Sequence, residues 1–365
     1  MTDAPETPQP QPGILGISPY TAGEGSGGGA NTITKLSANE NPLGPSPSAR
    51  EAVVATAEKL EIYPDPDHGD LRHAIGEVHG LDPARIVCGA GSDELIALLC
   101  QSYAGPGLEV LHAEHGFAMY PISSRAAGAT PRAVPETRRT VDVDAMLGAV
   151  TEATAMVFLA NPNNPTGTML PEAEVARLAE GLPGSVLLVL DGAYAEYVEG
   201  FDGHATLVDR FPNVVMTRTF SKIYGLGGLR VGWCYAPAAI VDVLQRVRGP
   251  FNVSAAGLAA AEAAVRDTDW VIKCRAENLF WRDWLATELR GLGLEVDAPQ
   301  ANFVLPRFAS AAQAQAADAR LRAHGIIVRP VGGYGLPEFL RITVGDEVAC
   351  RRVVAILRGF LEAAA

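Results

Sequence analysis

The most informative stretch of this 365-residue chain reads Thr219-Phe220-Ser221-Lys222-Ile223-Tyr224-Gly225-Leu226-Gly227-Gly228-Leu229-Arg230. It sets a lysine beside hydroxyl side chains, follows it with glycines, and ends on an arginine. An amine that forms a Schiff base needs its neutral form, which partial desolvation and a nearby cation favour. Hydroxyls and a guanidinium are also the donors that a phosphate group needs. The stretch therefore predicts a Schiff-base lysine next to a phosphate site, whereas an ordinary exposed lysine would leave Ser221 and Arg230 unexplained.

Outside this stretch, helical segments and short apolar strands alternate from about residue 48. The candidate strands are 86–88, 109–112, 155–160, 186–191 and 213–217. Short apolar strands between helices indicate a mostly parallel sheet that helices cover on both faces. After Pro250 the pattern changes to long helices and a few strands, which is typical of a smaller α+β unit.

The sequence therefore predicts an α/β fold with a smaller α+β C-terminal domain. We expect a flexible N-terminal arm over residues 1–34, because this part is rich in proline and glycine. A large domain is expected over residues 35–255 and a small C-terminal domain over residues 256–365.

Four motifs follow candidate strands, and ligands of open α/β sheets bind outside the carboxyl ends of strands. Besides the lysine stretch they are Gly89-Ala90-Gly91-Ser92-Asp93-Glu94, Asn161-Pro162-Asn163-Asn164-Pro165-Thr166-Gly167 and Asp191-Gly192-Ala193-Tyr194. Alone, the first is better explained as a helix that Ser92 caps, whereas the second is moderately specific and could also be an ordinary tight turn, and the third could be a capping carboxylate. Their common position at strand ends favours one shared ligand site.

Asp191 closes a very apolar run, and a buried carboxylate is costly unless it is paired. A protonated pyridine nitrogen is a fitting partner, and Tyr194 could hydrogen-bond a phenolic oxygen on the same ring. Together with the phosphate site and the Schiff-base lysine, these residues predict pyridoxal 5'-phosphate (PLP) as the cofactor.

Composition excludes several other functions. The net charge of −13 and the pI near 5 argue against nucleic-acid binding. Five cysteines without CxxC spacing predict reduced core thiols, and the histidines do not cluster into a metal site. Without a signal peptide or an apolar stretch of about 20 residues, we expect no membrane association and a cytoplasmic location.

From about Ile17 to Leu361 the chain resembles fold-type I PLP-dependent aminotransferases, and most closely the histidinol-phosphate aminotransferase branch. Besides the lysine motif and the Asn-Pro-Thr-Gly turn, the matching segments are Ile17-Ser18-Pro19-Tyr20, residues 36–47, Tyr63-Pro64-Asp65 and residues 325–330.

The resemblance implies a role for each cofactor-binding residue. Lys222 would form the Schiff base and then act as the base that moves the proton. Asp191 would pair with the ring nitrogen, Asn164 and Tyr194 would hold the phenolic oxygen, and Phe117 would stack on the ring. The implied phosphate partners are Ser92, Asp93, Thr219, Ser221, Arg230 and, from a neighbouring subunit, Tyr63. This last role implies a homodimer with a shared active site.

The resemblance also implies the substrate contacts. Arg341 would clamp the α-carboxylate of the amino-acid donor, because a planar guanidinium binds a carboxylate through two parallel hydrogen bonds. Arg329 would bind the phosphate of the substrate. Tyr20 and Asn39 would line the substrate cavity, although a docked N-terminal arm and a helix-capping turn explain these two residues equally well.

The implied reaction is transamination between L-histidinol phosphate and 2-oxoglutarate, which belongs to histidine biosynthesis. The nearest alternative is an aromatic amino-acid aminotransferase, whose substrate has no phosphate for Arg329 to bind. A threonine-phosphate decarboxylase is a further alternative, and it would release carbon dioxide. A PLP-binding regulatory protein is the least consistent with the acidic composition.

Overall fold

The computed structural model describes residues 10–11, 13–18 and 33–363. Most of the predicted flexible arm lies outside the described residues, and so does the predicted substrate residue Tyr20. In this part of the chain, no helix is long and apolar enough to cross a membrane.

A seven-stranded sheet forms the centre of the molecule. Its strands are β2 (Ile86–Gly89), β3 (Glu109–Ala113), β4 (Thr130–Val134), β7 (Thr154–Ala160), β8 (Leu187–Asp191), β9 (Val214–Thr219) and β10 (Gly232–Tyr235). They lie side by side in the order β2-β10-β9-β8-β7-β3-β4. Only β10 runs antiparallel to its neighbours. The predicted α/β fold with a mostly parallel sheet is thereby confirmed.

Both faces of the sheet are buried, which explains why its strands are continuous apolar runs. In β7, Val157 and Leu159 pack into one core cluster, while Met156 and Phe158 pack into the cluster on the opposite face. Side chains alternate between the two faces along each strand, so helices must cover both.

Helices from both halves of the chain surround the sheets. They are α1 (Pro47–Thr56), α2 (Gly69–His79), α3 (Ser92–Tyr103), α4 (Met119–Ala126), α5 (Val143–Gly148), α6 (Glu172–Gly181), α7 (Ala205–Arg210), α8 (Ala238–Val247), α9 (Ala255–Arg266), α10 (Thr268–Gly291), α11 (Ala311–Ala323) and α12 (Glu347–Glu362). The longest of them, α10, contributes Cys274 to the core beside the large sheet and Trp281 to the core near the C-terminus.

The remaining strands are β1 (Thr34–Lys35), β5 (Glu136–Thr137), β6 (Thr140–Val141), β11 (Glu295–Val296), β12 (Phe303–Val304), β13 (Pro306–Arg307), β14 (Ile326–Ile327), β15 (Arg329–Val331) and β16 (Leu336–Thr343). In the C-terminal part, a smaller antiparallel sheet has the order β11-β13-β16-β12, and β15 also pairs with β16. Residues 34–35 pair with β14, so the start of the predicted large domain contacts the C-terminal part. The division at residues 255/256 stays a prediction.

One local prediction was wrong. Ser92 is the first residue of α3 and not its cap: the cap is Gly91, whose φ of 86° suits glycine and which makes no side-chain cap bond. No cap side chain therefore occupies the amino end of α3, which leaves its first N–H groups facing the carboxyl edge of the sheet.

Candidate active site

The predicted site residues meet in one cavity at the carboxyl ends of the parallel strands. The predicted residues that line it are Asn39, Ser92, Asp93, Phe117, Asn164, Asp191, Tyr194, Thr219, Ser221, Lys222, Arg230, Arg329 and Arg341. The structure thus brings together every predicted residue except Tyr63 and the undescribed Tyr20.

Lys222 follows β9 and projects its amine into this cavity. Phe220 and Ile223 on either side of it are fully buried, so the backbone around the lysine is anchored in the core. The Lys222 Nζ donates a hydrogen bond to the Ala38 carbonyl oxygen at 3.2 Å and lies 5.7 Å from the centre of the Tyr194 ring. The half-buried amine is therefore held at a defined place in the cavity.

Asp191 ends β8 and is 4% exposed. Its Oδ2 accepts a hydrogen bond from the Tyr120 hydroxyl at 2.7 Å, and its Oδ1 accepts one from the Ala193 backbone N–H at 3.1 Å. Burial raises the pKa of the Asp191 carboxyl, and these two hydrogen bonds oppose that shift. A buried carboxylate that lines a cavity is suited to pair with a cationic group of a ligand.

A network of hydrogen bonds connects Asn39 and strand β16 to Asn164 and Tyr194. Asn164 accepts a hydrogen bond from Arg341 Nη1 at 2.5 Å, and Asn39 donates one to the Tyr194 hydroxyl at 2.8 Å. Thr343 fixes Asn39 from both sides, because it bonds the Asn39 backbone N–H and the side-chain oxygen. Burial raises the pKa of Tyr194 to about 12, so its hydroxyl stays protonated near neutral pH.

A glycine-lined cradle lies between the start of α3 and the lysine loop. A Cβ on Gly91 would come within 2.4 Å of the Arg230 guanidinium, and a Cβ on Gly232 would come within 2.3 Å of the Ser92 nitrogen. Arg230 itself donates to Ser221 Oγ at 3.3 Å and to Asp93 Oδ2 at 3.2 Å. Free N–H groups of a helix end, hydroxyls and a guanidinium at a glycine cradle fit a phosphate group.

The residues present therefore fit PLP in three separate respects. The cradle suits its phosphate, Asp191 suits its ring nitrogen, and the amine of Lys222 suits its aldehyde.

Two arginines lie side by side on neighbouring strands of the C-terminal part. Arg329 in β15 and Arg341 in β16 are direct Cα partners of the antiparallel pair, and both line the cavity. This arrangement is suited to a substrate that carries negative charge.

Tyr63 lies outside this cavity. Its side chain is 76% exposed and its ring stacks on Phe251 with the ring centres 4.6 Å apart. The role of Tyr63 at the phosphate of a neighbouring subunit stays a prediction.

The cavity also contains residues that the sequence did not suggest. They are Ser37, Ala38, Tyr120, Ala160, Pro162, Ala193 and Tyr334. Tyr120 could have been suspected, since a polar aromatic residue three positions after Phe117 shares its side of the helical turn. Ala38 contributes through its backbone carbonyl, which no side-chain pattern reveals.

Comparisons with known proteins agree with this geometry. The family model of aminotransferase class I and II matches residues 31–357. Histidinol-phosphate aminotransferase of Ruegeria pomeroyi is 62% identical over 98% of this chain and 99% of its own length. The corresponding protein of Paracoccus denitrificans is 56% identical over 99% of this chain and 98% of its own length.

Solved structures give the same family. Histidinol-phosphate aminotransferase from Sinorhizobium meliloti in complex with pyridoxal-5'-phosphate superposes with a TM-score of 0.87, at 30% identity and over 92% of each chain. Aspartate aminotransferase from Thermus thermophilus with maleate has a TM-score of 0.80 over 90% of this chain and 92% of its own, and its 21% identity supports the fold alone. With a family model that spans most of its length and a cavity built around Lys222, the chain belongs to the class I and II aminotransferases.

Proposed function

We propose that this chain transfers an amino group between L-histidinol phosphate and 2-oxoglutarate, with PLP as its cofactor, in histidine biosynthesis. In the biosynthetic direction, glutamate donates the amino group and imidazole-acetol phosphate receives it. Relatives that are 55–62% identical over nearly the whole chain are named histidinol-phosphate aminotransferases. The observation that carries the proposal is the pair Arg329 and Arg341 in the same cavity as Lys222.

The residues that would hold PLP follow from the three matched features. Lys222 would hold its aldehyde carbon, Asp191 its ring nitrogen, and Asn164 and Tyr194 its phenolic oxygen, while Phe117 would cover the ring. The cradle of Ser92, Asp93, Thr219, Ser221 and Arg230 would hold its phosphate. When bound, PLP supplies a carbonyl that reacts with amines and a ring that withdraws electrons from the bond being broken.

The chain's own residues then position the substrate and move one proton. The Lys222 amine would take the proton from the substrate carbon that is bonded to the amino nitrogen. It would return this proton to the carbon atom that is bonded on the other side of the same nitrogen. Asp191 would hold a negative charge next to the ring nitrogen.

Arg341 and Arg329 would recognise the two kinds of anion in the reaction. Arg341 is buried and would hold the α-carboxylate of glutamate, whereas Arg329 is half-buried and would hold the phosphate of the second substrate. A guanidinium can bind either anion through two parallel bonds. An aromatic amino acid would use only the carboxylate site, so Arg329 separates the proposed substrate from the nearest alternative.

Replacing Arg329 with alanine tests this choice of substrate. We expect kcat/KM for histidinol phosphate to fall about 10- to 100-fold, since a hydrogen bond to a charged group is worth about 1.5–3 kcal/mol. Phenylalanine should lose less than about 3-fold, because it has no phosphate. The measurement is the half-reaction, followed by the absorbance change of the holoenzyme with each amino donor.

Equal losses for both donors would instead favour the aromatic aminotransferase. Arg320 is an exposed residue of α11, and Arg320→Ala is the control for the loss of one positive charge and for expression of the protein. This variant should leave the rates with both donors unchanged. Carbon dioxide release without need of a 2-oxo acid would favour the decarboxylase.

We also propose that the chain acts in the cytoplasm as a homodimer with a shared active site. Five free, buried cysteines suit a reducing compartment. Exposed apolar side chains cluster around α1 and the following turn, where Val54, Leu60, Ile62 and Tyr63 are all more than half exposed. An exposed apolar patch of this kind is typical of a subunit interface.

The homodimer predicts a single species of about twice 38.4 kDa in sedimentation velocity. Leu60→Glu with Ile62→Glu places two charges in this patch and should shift the equilibrium towards monomer. The same experiment on Val348→Glu, at an exposed position of α12, provides the control. A wild-type monomer at micromolar concentration would contradict the proposal.

A further inference from the structure

Tyr120 lines the cavity and contacts two residues that are assigned to the cofactor ring, Asp191 and Phe117. It is 1% exposed, and its hydroxyl donates to Asp191 Oδ2 at 2.7 Å. Its ring packs edge-on against Phe117, with the ring centres 5.7 Å apart and the planes at 87°. A single side chain thus contacts both the carboxylate and the aromatic residue assigned to the ring.

The position of Tyr120 is strongly constrained. Its ring stacks on the fully buried Phe158, with the ring centres 4.5 Å apart and the planes at 3°. The Tyr120 backbone N–H donates to the Phe117 carbonyl at 3.0 Å, and Ser124 Oγ donates to the Tyr120 carbonyl at 2.7 Å. These contacts fix the direction in which the hydroxyl points.

The Tyr120 hydroxyl stays protonated near neutral pH and donates to this carboxylate. Burial, with the neighbouring Asp191 charge, raises the pKa of Tyr120 well above its ordinary value. Asp191 in turn has its two oxygens engaged by different donors, Tyr120 on Oδ2 and the Ala193 N–H on Oδ1. A carboxylate fixed at both oxygens cannot rotate without leaving a buried acceptor unsatisfied.

We propose that Tyr120 is a positioning residue, whose hydroxyl holds the Asp191 carboxylate in the orientation that recognises the ring nitrogen of the cofactor. This inference rests on the proposed function, since it assigns Asp191 to that nitrogen. It goes further, because it makes recognition of the nitrogen depend on a hydroxyl that does not contact the reacting atoms.

A purely structural role of Tyr120 makes a different prediction. If Tyr120 only fills space between Phe117 and Phe158, the ring alone matters and Tyr120→Phe behaves like the wild type. If the hydroxyl positions Asp191, Tyr120→Phe specifically weakens the recognition of the ring nitrogen.

The test compares PLP with a carbocyclic analogue in which a C–H replaces the ring nitrogen. Dissociation constants of both are measured on the apoprotein by fluorescence quenching, for the wild type and Tyr120→Phe. The wild type should favour PLP over the analogue, and Tyr120→Phe should reduce this preference about 10-fold, as expected for the loss of one hydrogen bond to a charged group. Binding of the analogue itself should change less than about 3-fold.

The control is Tyr235→Phe, which removes another tyrosine–carboxylate bond, at the half-exposed Asp209. Tyr235 is 3% exposed and its hydroxyl donates to Asp209 Oδ1 at 2.9 Å, outside the cavity. This variant should keep the wild-type preference for PLP even if its melting temperature falls.

Two outcomes overturn different statements. An unchanged or increased preference for PLP in Tyr120→Phe, with the wild type binding PLP normally, overturns the positioning role alone. A wild type that does not bind PLP overturns the proposed function itself. Should Tyr120→Phe fail to fold, Asp191→Asn and Phe158→Leu separate loss of the carboxylate from loss of the stack by the same comparison.

Discussion

Replacing Lys222 with alanine is expected to lower transamination by about 10⁴-fold or more. The variant loses both the amine that holds the cofactor covalently and the base that moves the proton, and positioned acid–base groups alone contribute about 10²- to 10⁴-fold. No other side chain that lines the described cavity carries an amine. Single-turnover rates with histidinol phosphate measure the loss, and the absorbance of the protein mixed with PLP reports the missing covalent bond.

A matched control separates this chemical effect from the loss of a positive charge. Lys273 lies over the Trp270 ring at 4.8 Å and lines a different groove, so Lys273→Ala should retain wild-type turnover. Lys222→Arg keeps the charge and should be nearly as inactive as the alanine variant, because a guanidinium stays protonated. The assignment of Lys222 would be wrong if the alanine variant kept more than about 1% of the wild-type rate.

Sequence reasoning located the site because its residues follow strands. Asp191 and Thr219 end two adjacent parallel strands, and such ends share one edge of the sheet. A short apolar run and the polar residue after it are local features, so they could be read without knowledge of the sheet order. The resemblance to a known family then gave each polar residue a partner.

Other elements could not be predicted in this way. The antiparallel strand Gly232–Tyr235 is too short to show a periodicity, and its pairing with both β2 and β9 depends on contacts distant in sequence. Thr130–Val134 contains a proline, which argues against a central strand, and it lies at the edge of the sheet where a missing N–H is tolerated.

The pairing of the two arginines is likewise a property of the register. Arg329 and Arg341 are twelve residues apart, and only the antiparallel pairing of β15 with β16 sets them opposite each other. The bond from Lys222 to the Ala38 carbonyl is similar, because it joins a loop near the N-terminus to the end of β9. Contacts of this kind form only when the whole fold is assembled.

Arg341→Leu is expected to produce the largest loss of substrate recognition. Arg341 is 6% exposed and its two terminal nitrogens donate to Asn164 Oδ1 at 2.5 Å and to the Ser37 carbonyl at 2.7 Å. These bonds fix the plane of the guanidinium before any substrate arrives, so little conformational entropy is lost when a carboxylate binds. Removing one partner of a buried charge pair costs about 2–5 kcal/mol, which corresponds to a loss of about 30- to 4,000-fold in kcat/KM for glutamate.

Arg341→Lys distinguishes the shape of the guanidinium from its charge. A lysine keeps the positive charge but cannot bond Asn164, Ser37 and a carboxylate in one plane, so we expect it to recover less than about a tenth of the wild-type kcat/KM. The control is Arg307→Leu in the adjacent strand β13, where the arginine is 45% exposed and pairs with Glu295; it should cost less than about 3-fold. If Arg341→Leu lost no more glutamate activity than Arg307→Leu, the carboxylate would have to bind elsewhere, and Arg329 in the same cavity would be the next candidate.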